Sequence, residues 1–312
     1  LYLMSINILY CFDENYNLQA LTSMISLLDE TSEIVDIYIV HNNPESFTKL
    51  SKIIKSHKKV GKILITKFDK QNFTFPNVEN SHVSDATYYR LFIEDLLTEQ
   101  LDYVLYLDAD IICYHDPSKE IQNVASSLLK SENTIASVRE NFDDTEKNDI
   151  NKRLNIDADK YFNAGAMFID LKSWRKKSIM SASLEIINQK NKDLKFWDQD
   201  VLNVMFNNDL IEINNSFNYI INIEKDTLIP EETIFLHYAG SFKPWTVRGA
   251  IEKNSIYYME QYRKLNLEKF HITHTWKLSS LIYLIRSLFN LKIINTKYPI
   301  SFLSQVIRTL LR

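Results

Sequence analysis

The feature that most restricts the fold is an alternation, sustained over the first two-thirds of the chain, of short β-rich apolar runs with segments of helical periodicity. Ile6–Phe12 reads as a buried strand, Leu18–Leu28 as a helix, Ile34–His41 as a strand, Phe47–His57 as a helix and Lys62–Phe68 as a strand. Strands alternating with helices require crossover connections, and these build a mostly parallel sheet with helices on its faces. The pattern continues with a helix at Thr87–Leu97, a strand at Tyr103–Leu107, strands at Thr134–Val138 and Ala166–Leu171, and helices at Ile179–Gln189 and Gln199–Phe206. Asn141–Asp159 is the most polar segment and reads as a loop or short exposed helix. The expected class is α/β.

With 312 residues, 45% of them hydrophobic and 24% charged, the chain can bury a sizeable core as one large domain with an appendage or as two domains. Disorder, collagen and disulfide scaffolds are excluded. Cys11 and Cys113 lie inside apolar runs without CxxC spacing, which argues against a zinc ribbon and for a reducing, cytoplasmic setting. Thirty-six basic against 40 acidic side chains leave a net charge of −4, unsuited to bulk nucleic-acid binding.

That charge is unevenly placed. Residues 271–312 carry Lys277, Arg286, Lys292, Lys297, Arg308 and Arg312 and no acid, a net +6 against −10 for the rest. The shift supports a boundary near residue 250, dividing 1–250 from a basic extension at 251–312. Leu278, Leu281, Ile282, Ile285, Leu288 and Phe289 follow helical spacing, and Leu303, Val306, Ile307, Leu310 and Leu311 form a second stripe. With Trp276, Tyr283 and Tyr298 nearby, such stripes suit peripheral attachment to an anionic membrane surface, or packing against the rest of the protein. Arg286 and Lys292 interrupt the most apolar stretch, so no membrane span is expected, and no basic region precedes the first apolar run as a secretory leader would require.

Glycine is scarce. Average usage of about 7% would place roughly 22 in a chain of this length, yet there are 4, at Gly61, Gly165, Gly240 and Gly249. Gly165 and Gly240 therefore mark candidate places where a backbone approaches a ligand closely.

The strand Tyr103–Leu107 runs directly into Asp108, Ala109 and Asp110. Open α/β sheets bind ligands at the carboxyl ends of their strands, and carboxylates two residues apart can converge on one hard cation. Asp108 capping a turn beside a solvated Asp110 is the alternative. His237 ends another apolar run, Thr233–His237, and is followed by Gly240 and Lys243. Imidazole with two carboxylates suits a cation such as Mn²⁺, while glycine lets phosphate approach the backbone and lysine supplies it with a positive charge. A satisfied polar histidine at a strand end remains the other reading.

Six blocks, in this order, carry a resemblance: Phe12-Asp13-Glu14-Asn15-Tyr16, Thr87-Tyr88-Tyr89-Arg90-Leu91, Leu105 to Asp110, Tyr161-Phe162-Asn163-Ala164-Gly165, Trp197-Asp198-Gln199-Asp200, and His237 to Trp245. Over residues 6–250 the chain resembles the family 8 glycosyltransferases, bacterial lipooligosaccharide α-galactosyltransferases among them. The resemblance implies a GT-A fold, Rossmann-like with flanking helices, plus a small C-terminal helical extension. It further implies retaining transfer of a hexose from a UDP-sugar, with Mn²⁺ (Mg²⁺ as substitute) on Asp108, Asp110 and His237. Asp13 and Asn15 would hold the uracil end, Lys243 and Gly240 the diphosphate, and Arg90, Asn163, Asp198 and Gln199 the donor sugar, with Ala109 within the metal-binding turn. Implied partners are a UDP-hexose and a glycan, glycolipid or glycosylated protein acceptor, with no nucleic acid, and the implied place is cytoplasmic, peripheral on the inner face of the membrane.

On the residues alone, Asp13 and Asn15 could simply make a turn, Arg90 could be a surface ion-pair partner, Asp198 could cap a helix, and Asp200 has no evident role. Phe242 departs from the resemblance as a bulky residue between His237 and Lys243. Two other function classes share some features: a haloacid-dehalogenase-type phosphatase, which also ends a strand in Asp-x-Asp but near its start, and a non-catalytic sugar-nucleotide-binding membrane scaffold, which would lack metal or phosphate ligands.

Overall fold

The computed structural model describes residues 5–69, 73, 75, 84–97, 100–190, 192–225, 227–273, 278–294 and 296–310. Trp276, Lys277, Leu311 and Arg312 lie outside the described residues. Ten strands occur among those described: β1 Ile6–Phe12, β2 Val35–His41, β3 Val60–Lys67, β4 Tyr103–Leu107, β5 Ile111–Cys113, β6 Ile135–Arg139, β7 Phe162–Asp170, β8 Leu210–Glu212, β9 Tyr219–Ile220 and β10 Phe235–His237. Seven form the main sheet in the order β3-β2-β1-β4-β7-β6-β8, and β5, β10 and β9 form a small second sheet. β3, β2, β1 and β4 run parallel, β7 is antiparallel to both β4 and β6, and β8 rejoins β6 in parallel. The chain winds outward from β1 to β3 and then returns to β4 on the other side of β1, so the order reverses between β1 and β4. Their carboxyl ends diverge into a crevice there.

Period-two alternation explains why these strands are apolar on both faces. Ile8, Tyr10 and Phe12 of β1 join Leu105 and Leu107 of β4 in one hydrophobic core, while Leu9 and Cys11 join Val104 and Tyr106 in the other. Asn17–Glu30 packs on the first core, as do Ile256–Lys264 and the buried residues Leu284, Ile293, Phe302 and Val306 of the C-terminal segment. The helices Leu278–Phe289 and Pro299–Leu310 follow the two stripes in the sequence. No helix among the described residues is long and apolar enough to cross a membrane.

The structure departs from the sequence reading in two places and decides one alternative, each for a physical reason. Residues 87–97 are not one α-helix but a 3₁₀ segment, Asp85–Phe92, followed by one α turn, Ile93–Leu96. Side chains at i and i+3 eclipse in a 3₁₀ helix, which brings Thr87 and Arg90 to bear on one carboxylate, Asp198. Within 141–159 the second of the two readings holds: Asp144–Leu154 is a largely exposed helix whose start is fixed by the reciprocal capping box of Asp143 and Glu146. The strands β5, β8 and β9 are two or three residues long, too short to show periodicity.

His271 is buried among Tyr258, Tyr262 and Trp245, sharing a 2.7 Å hydrogen bond with the Tyr258 hydroxyl. Burial pushes its pKa down from 6.5 to about 3. Burial also lowers His41 to about 4 against the pull of Asp13 and Glu14. Both are neutral in the fold, whereas the unfolded chain takes up protons below about pH 6.5. Their stabilisation is therefore complete above that pH and declines toward the folded pKa values, by about 1.4 kcal/mol per pH unit for each histidine. Calorimetry between about pH 7.5 and pH 5 should show a falling melting temperature, and His271→Phe should remove about half of that slope.

Candidate functional site

β4 is buried throughout and delivers Asp108, whose backbone N–H donates to the Gly165 carbonyl of β7 (2.8 Å). The Ile111 N–H closes a turn on the Asp108 carbonyl, and the Tyr238 N–H donates to that of Asp110 (3.1 Å). Asp108, Ala109 and Asp110 are thus pinned between the two sheets. His237 ends β10 opposite Ile111, so the small sheet brings the histidine to the same corner. Its Nε2 lies 3.3 Å from Asp110 Oδ1 and 3.9 Å from Asp108 Oδ2, and one ligand atom from each residue falls within 4.8 Å of the others. Asp110 Oδ1 is buried with no hydrogen-bond partner among the described residues. An orphaned carboxylate oxygen facing an imidazole nitrogen and a second carboxylate fits a divalent cation.

The two carboxylates sit in different fields. Burial raises the pKa of Asp108, and neighbouring Asp110 adds to it against the opposing effects of Arg90 and His237. Burial pushes Asp110 the same way, but Lys243 and His237 outweigh it and hold that carboxyl well below the usual range. Lys243 Nζ donates to Asp110 Oδ2 and to the Tyr238 carbonyl (2.7 Å).

Gly165 makes room for the His237 ring. A Cβ there would collide with the His237 ring and stand 3.0 Å from Asn163 Oδ1. Gly240 instead has φ +78° with open space around its missing Cβ, so the backbone conformation is what calls for glycine.

Facing the metal corner is a second charged cluster. Arg90 is 3% exposed: its Nε donates to Asp198 Oδ2, one terminal nitrogen to the Ala164 carbonyl (2.6 Å) and more weakly to Asp108 Oδ1 (3.4 Å), and its plane lies 4.4 Å from the Tyr106 ring centroid. It is not a surface residue. Asp198, 1% exposed, also accepts from Thr87, so both its oxygens are taken. Burial disfavours the guanidinium charge, but Asp198, Tyr106 and Asp108 hold the Arg90 pKa well above its usual value. Gln199 Oε1 accepts from the Ala164 N–H (3.0 Å). Trp197 opens the helix Trp197–Phe206 at φ +49°, a conformation that bulky residues rarely adopt. Asp200 proves to be structural. It is fully buried, pairs with Arg153, and accepts from the Tyr161 hydroxyl and the N–H groups of Lys195 and Phe196, which holds the helix start in place.

These residues enclose a cavity of about 390 Å³, lined by Arg90, Asp108, Ala109, Asp110, Asn163, Asp198, Gln199, His237, Gly240 and Lys243. Asp13 and Asn15 are not among its lining residues, although Phe12 and Tyr16 beside them are. Asp13 Oδ1 caps the 3₁₀ turn Glu14–Tyr16 by accepting from the Asn15 N–H (2.9 Å), as the turn reading held. Sequence reasoning missed Glu140, which lines the cavity and accepts from Asn163 Nδ2 (2.6 Å), and Asn218, which bonds to His237 Nδ1 (2.8 Å). A lone Glu after a strand and an Asn in an asparagine-rich loop carry no spacing signal. Arg90→Met would strand the Asp198 carboxylate in the interior, and removing one partner of a buried pair costs roughly 3–5 kcal/mol. Urea denaturation should show a loss of that order, partly recovered in Arg90→Met/Asp198→Leu.

The sequence profile described as Glycosyl transferase family 8 matches residues 7–249. A lipopolysaccharide 1,2-glucosyltransferase of Escherichia coli strain K12 is 28% identical over 278 residues, 84% of this chain and 78% of that one. A lipopolysaccharide 1,3-galactosyltransferase of Salmonella typhimurium strain LT2 is 34% identical over 175 residues, about half of each chain (53% and 50%). In fold, the chain is similar to the galactosyltransferase LgtC solved with donor and acceptor sugar analogues, with a TM-score of 0.68 at 21% identity over 89% of this chain and all (100%) of that one. This match leaves no place for a haloacid-dehalogenase-type phosphatase, and the α/β sheet with its antiparallel β7 is the GT-A fold. The chain belongs to glycosyl transferase family 8.

Proposed function

We propose that the protein is a retaining transferase that moves a hexose, galactose first and glucose next, from a UDP-sugar to a bacterial glycan, glycolipid or glycosylated protein acceptor. The observation that carries this reading is the placement of Asp108, Asp110 and His237 on one wall of a cavity whose other wall holds Arg90, Asn163, Asp198 and Gln199. The names of the relatives, glucosyltransferase and galactosyltransferase, support a hexose. Mn²⁺, or Mg²⁺ in its place, would be held by the three-residue cluster and would supply positive charge to a departing diphosphate.

The chain's own residues do the rest. Lys243 pairs with Asp110 at the metal corner, from where its ammonium can exchange onto phosphate beside Gly240. Asp13 and Asn15, at the end of β1, are assigned to the uracil edge on the family resemblance. Arg90 orients Asp198, and the two frame the sugar end with Asn163. Retention needs either a covalent intermediate or attack from the face the leaving group vacates. Asp198 and Asp200 have their oxygens committed to Arg90 and Thr87, and to Arg153, Tyr161 and backbone N–H groups, so neither is disposed to act as a nucleophile. This favours front-face attack, with Gln199 stabilising the developing sugar cation.

Residues 1–250 form the catalytic unit in this reading, and 251–312 the extension that rests on the cytoplasmic face of the membrane. Support comes from apolar side chains left outside: Leu278, Phe289 and Ile300 are 75%, 83% and 83% exposed. Within that extension, acids ahead of residue 271 answer part of the charge of 271–312, since Lys292 pairs with Glu252 and Arg308 with Glu268.

Two measurements test these assignments. UDP should raise the melting temperature with Mn²⁺ present and not with excess EDTA, and Lys243→Ala should weaken UDP more than uridine. Equal weakening of both would remove Lys243 from the phosphate site. The protein should sediment with anionic vesicles at low salt and be released as salt screens the surface charge, and Leu278→Asp/Phe289→Asp should abolish sedimentation while hydrolysis of a UDP-sugar persists. Indifference to vesicles at low salt would defeat the membrane reading alone.

A further inference from the structure

The directions of a short chain of hydrogen bonds decide which nitrogen of His237 faces the two carboxylates. The Gly165 backbone N–H donates to one terminal atom of Asn163 at 2.9 Å. A backbone N–H can only donate, so that atom is oxygen, and the Asn163 amide has one orientation. The Asn218 amide meets the same oxygen at 2.7 Å and must do so with Nδ2. Its Oδ1 then faces His237 Nδ1 at 2.8 Å. An amide oxygen can only accept, so Nδ1 carries the proton and Nε2 is the nitrogen turned toward Asp108 and Asp110. At the far end Asn163 Nδ2 donates to Glu140 Oε1 (2.6 Å).

The link between these groups is well built. Asn218, Asn163 and His237 are all buried. Asn218 sits between the 3₁₀ turn Asn215–Phe217 and β9, and its N–H bonds back to the Asn215 carbonyl (3.0 Å). The parallel pairing of β9 with β10 sets Ile220 beside His237 and so fixes the approach of Asn218. Asn218 lines a smaller neighbouring cavity of about 190 Å³, not the larger one, so it acts through His237 and Asn163.

We propose that Asn218 is a positioning residue that acts in two directions. It holds His237 with Nδ1 protonated so that Nε2 is available to a divalent cation, and it fixes the Asn163 amide at the sugar end of the cavity. One side chain thereby ties the cation corner to the sugar wall. The proposal rests on the reading of Asp108, Asp110 and His237 as the cation site. Partners that orient a ligating histidine are worth about 10–100-fold in metal affinity.

The experiment compares wild type, Asn218→Leu and Asn218→Asp, each checked for folding by circular dichroism. Mn²⁺ affinity is measured by calorimetric titration without donor. Asn218→Leu should bind Mn²⁺ about 10–100-fold more weakly. Asn218→Asp keeps an acceptor for Nδ1–H and should hold the wild-type affinity or better, yet it loses the donor to Asn163 and should raise the KM for a UDP-sugar more than the Kd for UDP. Long-range proton–nitrogen correlation on metal-free protein with ¹⁵N-labelled histidine, assigned through His237→Gln, should show Nδ1 protonated. An unprotonated Nδ1 in wild type, Asn218→Leu binding Mn²⁺ as wild type does, or the two variants weakening Mn²⁺ alike would each overturn the proposal. Wild type that binds no Mn²⁺ would sink the cation reading instead, and the assignment of Asn218 would then stand or fall on the protonation of Nδ1.

Discussion

The site depends first on a buried guanidinium. Arg90 reaches the start of the helix at 197 through Asp198, the strand β7 through the Ala164 carbonyl and the end of β4 through Asp108, while stacking on Tyr106. With the 3₁₀ segment that carries Arg90, four separate stretches of chain meet here, and only β4 and β7 among them are also joined by strand pairing. Taking the charge out of water is expensive, and only a partner that is itself buried and fully hydrogen-bonded can offset it. Asp198 meets that condition because Thr87, one 3₁₀ turn before Arg90, takes its second oxygen. The local backbone geometry, the ion pair and the shape of the sugar wall are therefore one arrangement.

The metal corner is held by a different means, the junction of two sheets. Asp108 and Asp110 hang from backbone hydrogen bonds to β7 and to Tyr238, so the turn between them keeps its shape without help from an ion. Its electrostatics are lopsided. Lys243 already neutralises Asp110, whereas Asp108 is shared between Tyr106 and Arg90 and is raised by burial. A divalent cation in this corner would be held by one firmly ionised carboxylate, Asp110, and one whose ionisation burial disfavours, Asp108. Lys243 is thereby held by Asp110 and the Tyr238 carbonyl at the edge of the cavity.

How much of this was legible in the sequence follows from what periodicity and spacing can encode. The alternation of strands and helices was, because β1, β2, β4 and β7 are buried nearly throughout and read as short apolar runs, while a helix such as Pro44–Lys55 buries one stripe. The convergence of Asp108, Asp110 and His237 was legible as a pattern of residue types at strand ends, reinforced by family resemblance. Glycine scarcity pointed correctly to Gly165, but for another reason: the space belongs to the His237 ring. What stayed hidden depends on contacts between distant residues. Thr87 and Arg90 meet on Asp198, 111 and 108 positions away, Asp200 finds its partners 39 and 47 positions away in Tyr161 and Arg153, and Asn218 is identified only by hydrogen-bond directions.

Phe242 is the residue that departed from the family pattern, and its neighbours explain how the chain accommodates it. Its ring faces the Arg248 guanidinium at 4.8 Å, and Tyr283 of the helix Leu278–Phe289 approaches the same guanidinium at 5.2 Å. Tyr283 and Lys292 both engage Glu252, which is buried just after the turn Gly249–Ile251. The loop that carries Gly240 and Lys243 is thus braced against the C-terminal helix by a cation between two aromatic rings. A bulky side chain at 242 is what makes that contact possible, since a small one would leave Arg248 with nothing to stack on from the loop side. The basic extension and the loop that carries Gly240 and Lys243 are consequently in contact through Arg248, so the extension packs on the rest of the protein at this point.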